Sequence, residues 1–178
     1  TPGTYNASPE EIESLITPLT AAIIVAHIAG EPADIKKIMA IADKHNIPVI
    51  EDCAQSHFAT VDEQPVGTFG RFGAFSTMFG KHFNTGGQGG IVFTKSEEDY
   101  YKVRGVADRG KPFGLPAGST NWIASINSNL NEIGAAIGRE QLKKVESFGA
   151  SRRAVVEKLR KLLPPSVELP KLVKGAES

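Results

Sequence analysis

The chain has 178 residues with 20 Lys+Arg against 20 Asp+Glu, so its formal charge is zero and offers no bulk attraction to nucleic acid or an anionic membrane. With 40% hydrophobic and 22% charged residues it has the composition of a globular chain with one sizeable core. Cys53 is the only cysteine, which excludes an intrachain disulfide and fits a cytoplasmic protein, and no signal peptide or membrane-length apolar run is seen.

Residues 1–7 read as an extended lead-in. Ser8, Pro9 and Glu11 then form a helix start, with Ser8 as N-cap and Pro9 at the first helical position. The helix is predicted to end near Ile16 or Thr17. Residues 22–26 are continuously apolar, the pattern of a strand in a sheet covered on both faces, with His27 and Gly30 following its carboxyl end. Residues 33–45 carry Ile35, Ile38, Met39 and Ala42 at helical spacing, and Met39 is core. Pro48, Val49 and Ile50 make a second buried strand. Strand, helix, strand at this spacing is a right-handed parallel crossover.

Asp52 falls just past that strand, where open α/β sheets place ligands, although a turn acid sits equally naturally there. Cys53 reads as a small buried hydrophobe. Residues 59–71 are a polar connection with Pro65, Gly67 and Gly70. A third strand covers residues 73–76, and Ser76 at its end offers a hydroxyl to a phosphate or simply caps a turn. Lys81 follows, a surface lysine or a site amine, and then Asn84, Thr85 and the glycines of 86–90. Those glycines come after the lysine, so they match neither a Walker loop nor a dinucleotide fingerprint; positive φ and close strand approach explain them better. One amine, one carboxylate and close backbone approach suit a cofactor with a phosphate and a carbonyl better than a metal.

Residues 91–94 are a strand. Ser96 with Glu97 to Asp99 starts a helix bearing Tyr100, Val103, Val106 and Ala107. Residues 109–126 are a Gly- and Pro-rich loop carrying Trp122, which bounds a pocket or rests in an interface. A helix runs over 131–148 with a kink at Gly149. A further helix over 151–163 has Val155, Leu159 and Leu162 on one face and is stopped by Pro164 and Pro165. The elements define an α/β chain with a mostly parallel sheet flanked by helices.

Three ordered blocks carry a family resemblance: IIVAHIAGEPADIKKIMAIADKHNIPVIEDCAQSH, FSTMFGKHFNTGGQGG and NSNLNEIGAAIGREQL. Together they resemble the DegT/StrS sugar aminotransferases, pyridoxal-phosphate (PLP) enzymes of fold type I. The resemblance implies that residues 1–148 are part of the PLP-binding large domain. Residues 149–178 would be a linking helix and the start of a small C-terminal domain. Lys81 matches the lysine that holds PLP as a Schiff base. Asp52 matches the acid paired with the pyridine nitrogen, which a nearby carboxylate keeps protonated. Gln55 would lie near the ring, Ser76 would meet the phosphate, and Asn127 would reach the phosphate of the partner subunit in a homodimer. The His-x-x-Gly-x-Pro segment from His27 lies beside the cofactor region in the family.

The resemblance also implies the reaction: transfer of an amino group from glutamate or glutamine to a keto sugar, nucleotide-linked, with no metal. Its dehydratase branch carries histidine where Lys81 stands, so Lys81 favours amine transfer. A sugar dehydratase, a regulatory relative and a non-catalytic binding fragment are the alternatives. Three positions depart from the family pattern: Phe58 replaces a usual glycine, Gln88 a frequent glutamate and Asn129 a common arginine. The family's phosphate cradle and ring-stacking aromatic are expected ahead of residue 1, and the domain that closes over substrate after residue 178.

Overall fold

The computed structural model describes residues 3–178. The elements follow the predicted order. Helix α1 (Pro9–Leu15) leads to β1 (Ile23–Ala26), α2 (Ile35–Lys44) and β2 (Val49–Asp52). A small hairpin, β3 (Thr60–Val61) and β4 (Gln64–Pro65), precedes β5 (Phe72–Ser76) and β6 (Gly90–Phe93). Helices α3 (Glu97–Ala107), α4 (Glu132–Leu142) and α5 (Val145–Leu162) follow, then β7 (Ala176–Glu177).

The main sheet has the order β1-β2-β5-β6. Strands β1, β2 and β5 are parallel, with Ala26 opposite Asp52 and Asp52 opposite Ala74. Strand β6 runs antiparallel to β5. The carboxyl ends of β1, β2 and β5 therefore share one edge, and residues 27, 53 and 77 leave it together.

Local chemistry explains the helix starts. The Ser8 hydroxyl accepts from Glu11 N, Ser96 from Asp99 N, and the Asn131 side chain from Gly134 N. Ile35, Ile38 and Ala42 turn one face of α2 onto Ile23, Val25 and Val49, and Met39 packs against that core. Burying an isoleucine stabilises by about 1.5–3 kcal/mol. Arg71, just before β5, makes two hydrogen bonds to Asp99 of α3 at 2.6 Å.

Several expectations change. The sheet is covered on one face within this chain, not two: Val25 is buried while its neighbour Ile24 is 73% exposed. The 59–71 connection is not merely polar. Asp62 and Glu63 both take positive φ, as a two-residue hairpin loop requires, and Ala59, Val61 and Val66 enter the core. Gly149 does not break a helix; the break lies at Lys143–Lys144, where Lys144 N closes a tight turn on Gln141 O. One glycine weakens a helix without ending it. β7 pairs with β3, so the last residues fold back onto the hairpin.

Glu51 anchors the core. Its alternation with Val49 turns it inward, and it is fully buried. Its carboxylate accepts from Gly67 N (2.7 Å), Phe69 N (2.8 Å) and Gly70 N (2.7 Å). It also meets His27 Nε2 at 3.1 Å. His27 Nδ1 accepts from Ala33 N, so the ring proton sits on Nε2 and points at Glu51. Burial pushes the Glu51 carboxyl up, but the hydrogen bonds from His27, Gly70 and Gly67 outweigh it and the net direction is down.

A carboxyl with a depressed folded pKa stabilises fully above its unfolded value of 4.5 and loses that contribution as pH falls through the folded pKa. Glu51→Gln points an amide at three backbone donors. It is expected to cost about 3 kcal/mol. In thermal melts that is a fall of roughly 10 °C. The variant should also lose part of the parent's drop in stability below pH 4.5, so an unchanged melt and pH slope would remove Glu51 from this role.

Candidate functional site

The shared carboxyl edge of β1, β2 and β5 collects the chemistry. Asp52 ends β2 with an exposed side chain, whose Oδ1 accepts from Ala54 N at 3.0 Å. Gln55, three residues on, accepts from Ala29 N at 2.7 Å, tying the β2 end to the turn after β1. Ser76 closes β5, half-buried, and its hydroxyl accepts from Met78 N at 3.4 Å.

Lys81 lies in the turn beyond β5. Its backbone N–H donates to Met78 O at 2.9 Å, and the side chain is half-buried. Among the described residues its amine forms no salt bridge. Lys36, Lys44 and Lys102, in contrast, each sit on a carboxylate. The following bend is held by threonines and glycines. Thr85 N and Thr85 Oγ1 both donate to Thr77 O, and Thr77 N donates to Gly89 O. A Cβ on Gly89 would lie 2.4 Å from Thr77 Oγ1, so this glycine serves close approach. Gly86 adopts φ 77.

His57 is the residue that sequence reasoning passed over. Its ring centroid is 5.9 Å from Phe75, 6.0 Å from His82 and 6.3 Å from Phe83. Both its ring nitrogens are buried without a well-formed hydrogen bond, as is Nδ1 of His82. Burial holds the His57 pKa below the ordinary value and the nearby Lys81 charge adds to that, while the Ser76 backbone opposes. His57 closes the first of the three blocks that carry the resemblance, which is the signal that could have found it.

Asn127 stands apart from this group. It is exposed, bridges to Asp108, and its Oδ1 accepts from Asn129 N at 3.1 Å. Asp108 is buried, and Lys111, Arg109 and Asn129 hold its carboxyl down at about 2. A cavity of about 600 Å³ opens between β6, α3 and residues 128–130, lined by Gln88, Gly89, Val92, Tyr100 and Arg104; Asp52 and Lys81 do not line it.

His27, Glu51 and Cys53 offer atoms within 4.8 Å of one another. Glu51 and His27 already spend their acceptors and donor on the hydrogen bonds above. Burial, reinforced by the Glu51 charge, pushes the Cys53 thiol up to about 12. The cluster has the chemistry of a core clamp, not of a metal centre. No helix among the described residues is long and apolar enough to cross a membrane.

The crossover unit and the mostly parallel β1-β2-β5-β6 sheet with its helices make this an α/β chain. The sequence profile of the DegT/DnrJ/EryC1/StrS aminotransferase family matches residues 1–173, and the chain belongs to that family. It is 38% identical over 148 residues to UDP-N-acetyl-3-dehydro-alpha-D-glucosamine 3-aminotransferase of Acidithiobacillus ferrooxidans, covering 80% of this chain and 37% of that protein. It is 36% identical over 170 residues to L-glutamine:2-deoxy-scyllo-inosose aminotransferase of Streptomyces kanamyceticus, covering 91% and 40%. The chain thus spans well under half the length of these relatives.

Among solved structures, a DegT DnrJ EryC1 StrS aminotransferase from Brucella abortus superposes with TM-score 0.91 at 31% identity, over 100% of this chain and 49% of that one. An E. coli GDP-4-keto-6-deoxy-D-mannose-3-dehydratase with bound hydrated PLP superposes with TM-score 0.82 at 27% identity, over 96% and 49%.

The position of His57 beside Lys81 can be tested without cofactor. Its imidazole is expected to titrate by NMR below the ordinary 6.5, and Lys81→Met should move that midpoint up because a positive charge is removed. An unmoved midpoint would separate the two side chains.

Proposed function

We propose that this chain is the central part of a PLP-dependent aminotransferase that moves an amino group from glutamate or glutamine to a keto sugar, nucleotide-linked. The observation that carries the reading is Lys81: a half-buried amine without a salt bridge, in a tight turn at the sheet edge that also presents the Asp52 carboxylate. In this reading the protein works as a homodimer in the cytoplasm. Residues 1–148 belong to the cofactor-binding large domain, and 149–178 lead toward a small domain.

The residues present fit the cofactor. Asp52 has an oxygen left over after its bond to Ala54 N, Ser76 presents a half-buried hydroxyl, and the Lys81 amine has no competing acid. When bound, PLP supplies a carbonyl carbon for covalent attachment and a ring that withdraws electrons from the substrate carbon. Lys81 would hold it covalently and, once released, carry a proton to and from that carbon at Nζ. Asp52 would keep the ring nitrogen protonated through a charge-assisted hydrogen bond. Gln55, fixed by Ala29 N, would orient the ring, and Ser76 would bind the phosphate. Exposed Asn127 would serve the partner subunit's phosphate. Lys81 also weighs against a dehydratase that uses histidine there.

The test supplies the full-length protein with PLP, glutamate or glutamine, and a keto sugar. Formation of a 2-keto acid is expected. Loss of water from the sugar without keto acid would favour dehydration, and an intact, colourless protein would end the PLP reading. Lys81→Ala should abolish the borohydride-fixed adduct and change stability by no more than about 0.5 kcal/mol.

Asp52→Asn should keep the fold and some cofactor but lower turnover about 100-fold or more, with a much smaller change in KM. Single-turnover absorbance against the parent reads this directly. Equal rates would make Asp52 a turn residue.

A further inference from the structure

Six described non-glycine residues hold positive φ: Ala29, Asn46, Phe58, Asp62, Glu63 and Arg109. Asn and Asp tolerate this region, and Asp62 and Glu63 form the hairpin loop. Phe58, at φ 68, is the only aromatic among them. A bulky L residue is disfavoured there because its Cβ crowds the backbone. Such a conformation persists where the surroundings impose it, and it marks functional segments more often than others.

The surroundings do impose it. Ser56 N donates to Cys53 O (3.1 Å) and Ala59 N to Ser56 O (3.2 Å), while Cys53, Ser56 and Ala59 are buried. The backbone at 58 is therefore fixed whatever the side chain, and glycine would meet it without strain. The Phe58 ring does not serve the core, for it is 55% exposed. It follows Asp52, Gln55 and His57 directly, and its centroid lies 6.3 Å from His57, whose ring neighbours His82 beside Lys81. A second exposed ring, Phe79 at 68%, stands on the Lys81 turn.

We propose that Phe58 determines specificity for the acceptor: its exposed ring face stacks on the apolar C–H face of the keto sugar ring. The inference rests on the amine-transfer reading above. The face of an aromatic ring is electron-rich and attracts the weakly positive hydrogens of a saturated ring. Glutamate and glutamine have no ring, so this contact serves only the sugar half of the reaction. A carboxylate is repelled by the electron-rich face, whereas an ammonium group is attracted to it, so the amino-donor half-reaction is the control that separates sugar stacking from contact with the donor's ammonium.

The experiment compares Phe58→Gly with the parent in the full-length protein. Without cofactor, the melting temperature should hold or rise by about 2–4 °C, because strain is relieved and little packing is lost. With cofactor, KM for the keto sugar should rise about tenfold or more, while the amino-donor half-reaction stays unchanged. Acceptors with and without a nucleotide should respond alike; a rise confined to nucleotide-linked acceptors puts the base on Phe58 and overturns the sugar assignment. An unchanged KM overturns the proposal whether the melting temperature falls or not. If both change, Phe58→Leu decides: recovery of melting temperature with the sugar KM still raised supports stacking, and any other pattern means packing. A parent that transfers no amine to any keto sugar sinks the underlying reading and this inference together, whereas transfer unaffected by Phe58→Gly sinks the inference alone.

Discussion

The buried Glu51 carboxylate is the constraint on which the site geometry depends. Four groups converge on it: the His27 imidazole from the end of β1 and the N–H groups of Gly67, Phe69 and Gly70 from the approach to β5. Buried ion pairs seldom add net stability over a well-packed apolar substitute, but removing one partner leaves the others uncompensated. Here an apolar residue at 51 would strand three backbone donors and a ring N–H at once. The carboxylate thus ties together the end of β1, strand β2 and the segment that enters β5. Strand alternation completes the consequence. With residue 51 locked inward, residue 52 must face the other way, and Asp52 is exposed at the strand end.

Much of this was legible in the sequence because it is local. Ser8 with Pro9, Ser96 with its acidic turn, and Asn131 each cap the helix they were expected to start. The crossover from β1 through α2 to β2 follows from one helical stripe between two apolar runs. What escaped was long-range. Glu51 is 24 residues from His27 and 16 from Gly67, and neither partner announces the other. The 59–71 segment reads as polar because its core residues, Ala59, Val61 and Val66, are small and scattered, and its hairpin has strands of two residues each. Coverage of the sheet failed for a different reason. A continuous apolar run predicts two buried faces, but burial of the second face needs elements beyond the pairings of this chain, and Ile24, Ile91 and Val92 stay exposed.

The candidate site divides in the same way. Asp52, Gln55, Ser76 and Lys81 are reachable from motif and strand ends, and the parallel register of β2 and β5 puts the segments that carry them side by side. Asn127 belongs to a second group, organised by Asp108 with Arg109, Lys111 and Asn129. That cluster takes the position at 129, where an arginine was expected, into a hydrogen bond with a buried acid. The two groups are built by different elements. The first rests on the Glu51 clamp, the second on the end of α3 and the loop after it.

Burial without a partner separates Lys81 from the other lysines: among the described residues Lys95, Lys144, Lys158, Lys161, Lys171 and Lys174 also lack a salt bridge, but all six are exposed. Lys36, Lys37, Lys44, Lys102, Lys111 and Lys143 are each paired with a carboxylate. Among the described residues Lys81 forms no ion pair, not even with Asp52 on the neighbouring strand end. Its turn offers glycine, Phe79 and the imidazoles of His57 and His82 instead. Only the free amine attacks a carbonyl. The Glu51 clamp and the unpaired amine are separate features: the first fixes backbone on the inner face of the sheet, the second lies in the turn beyond β5.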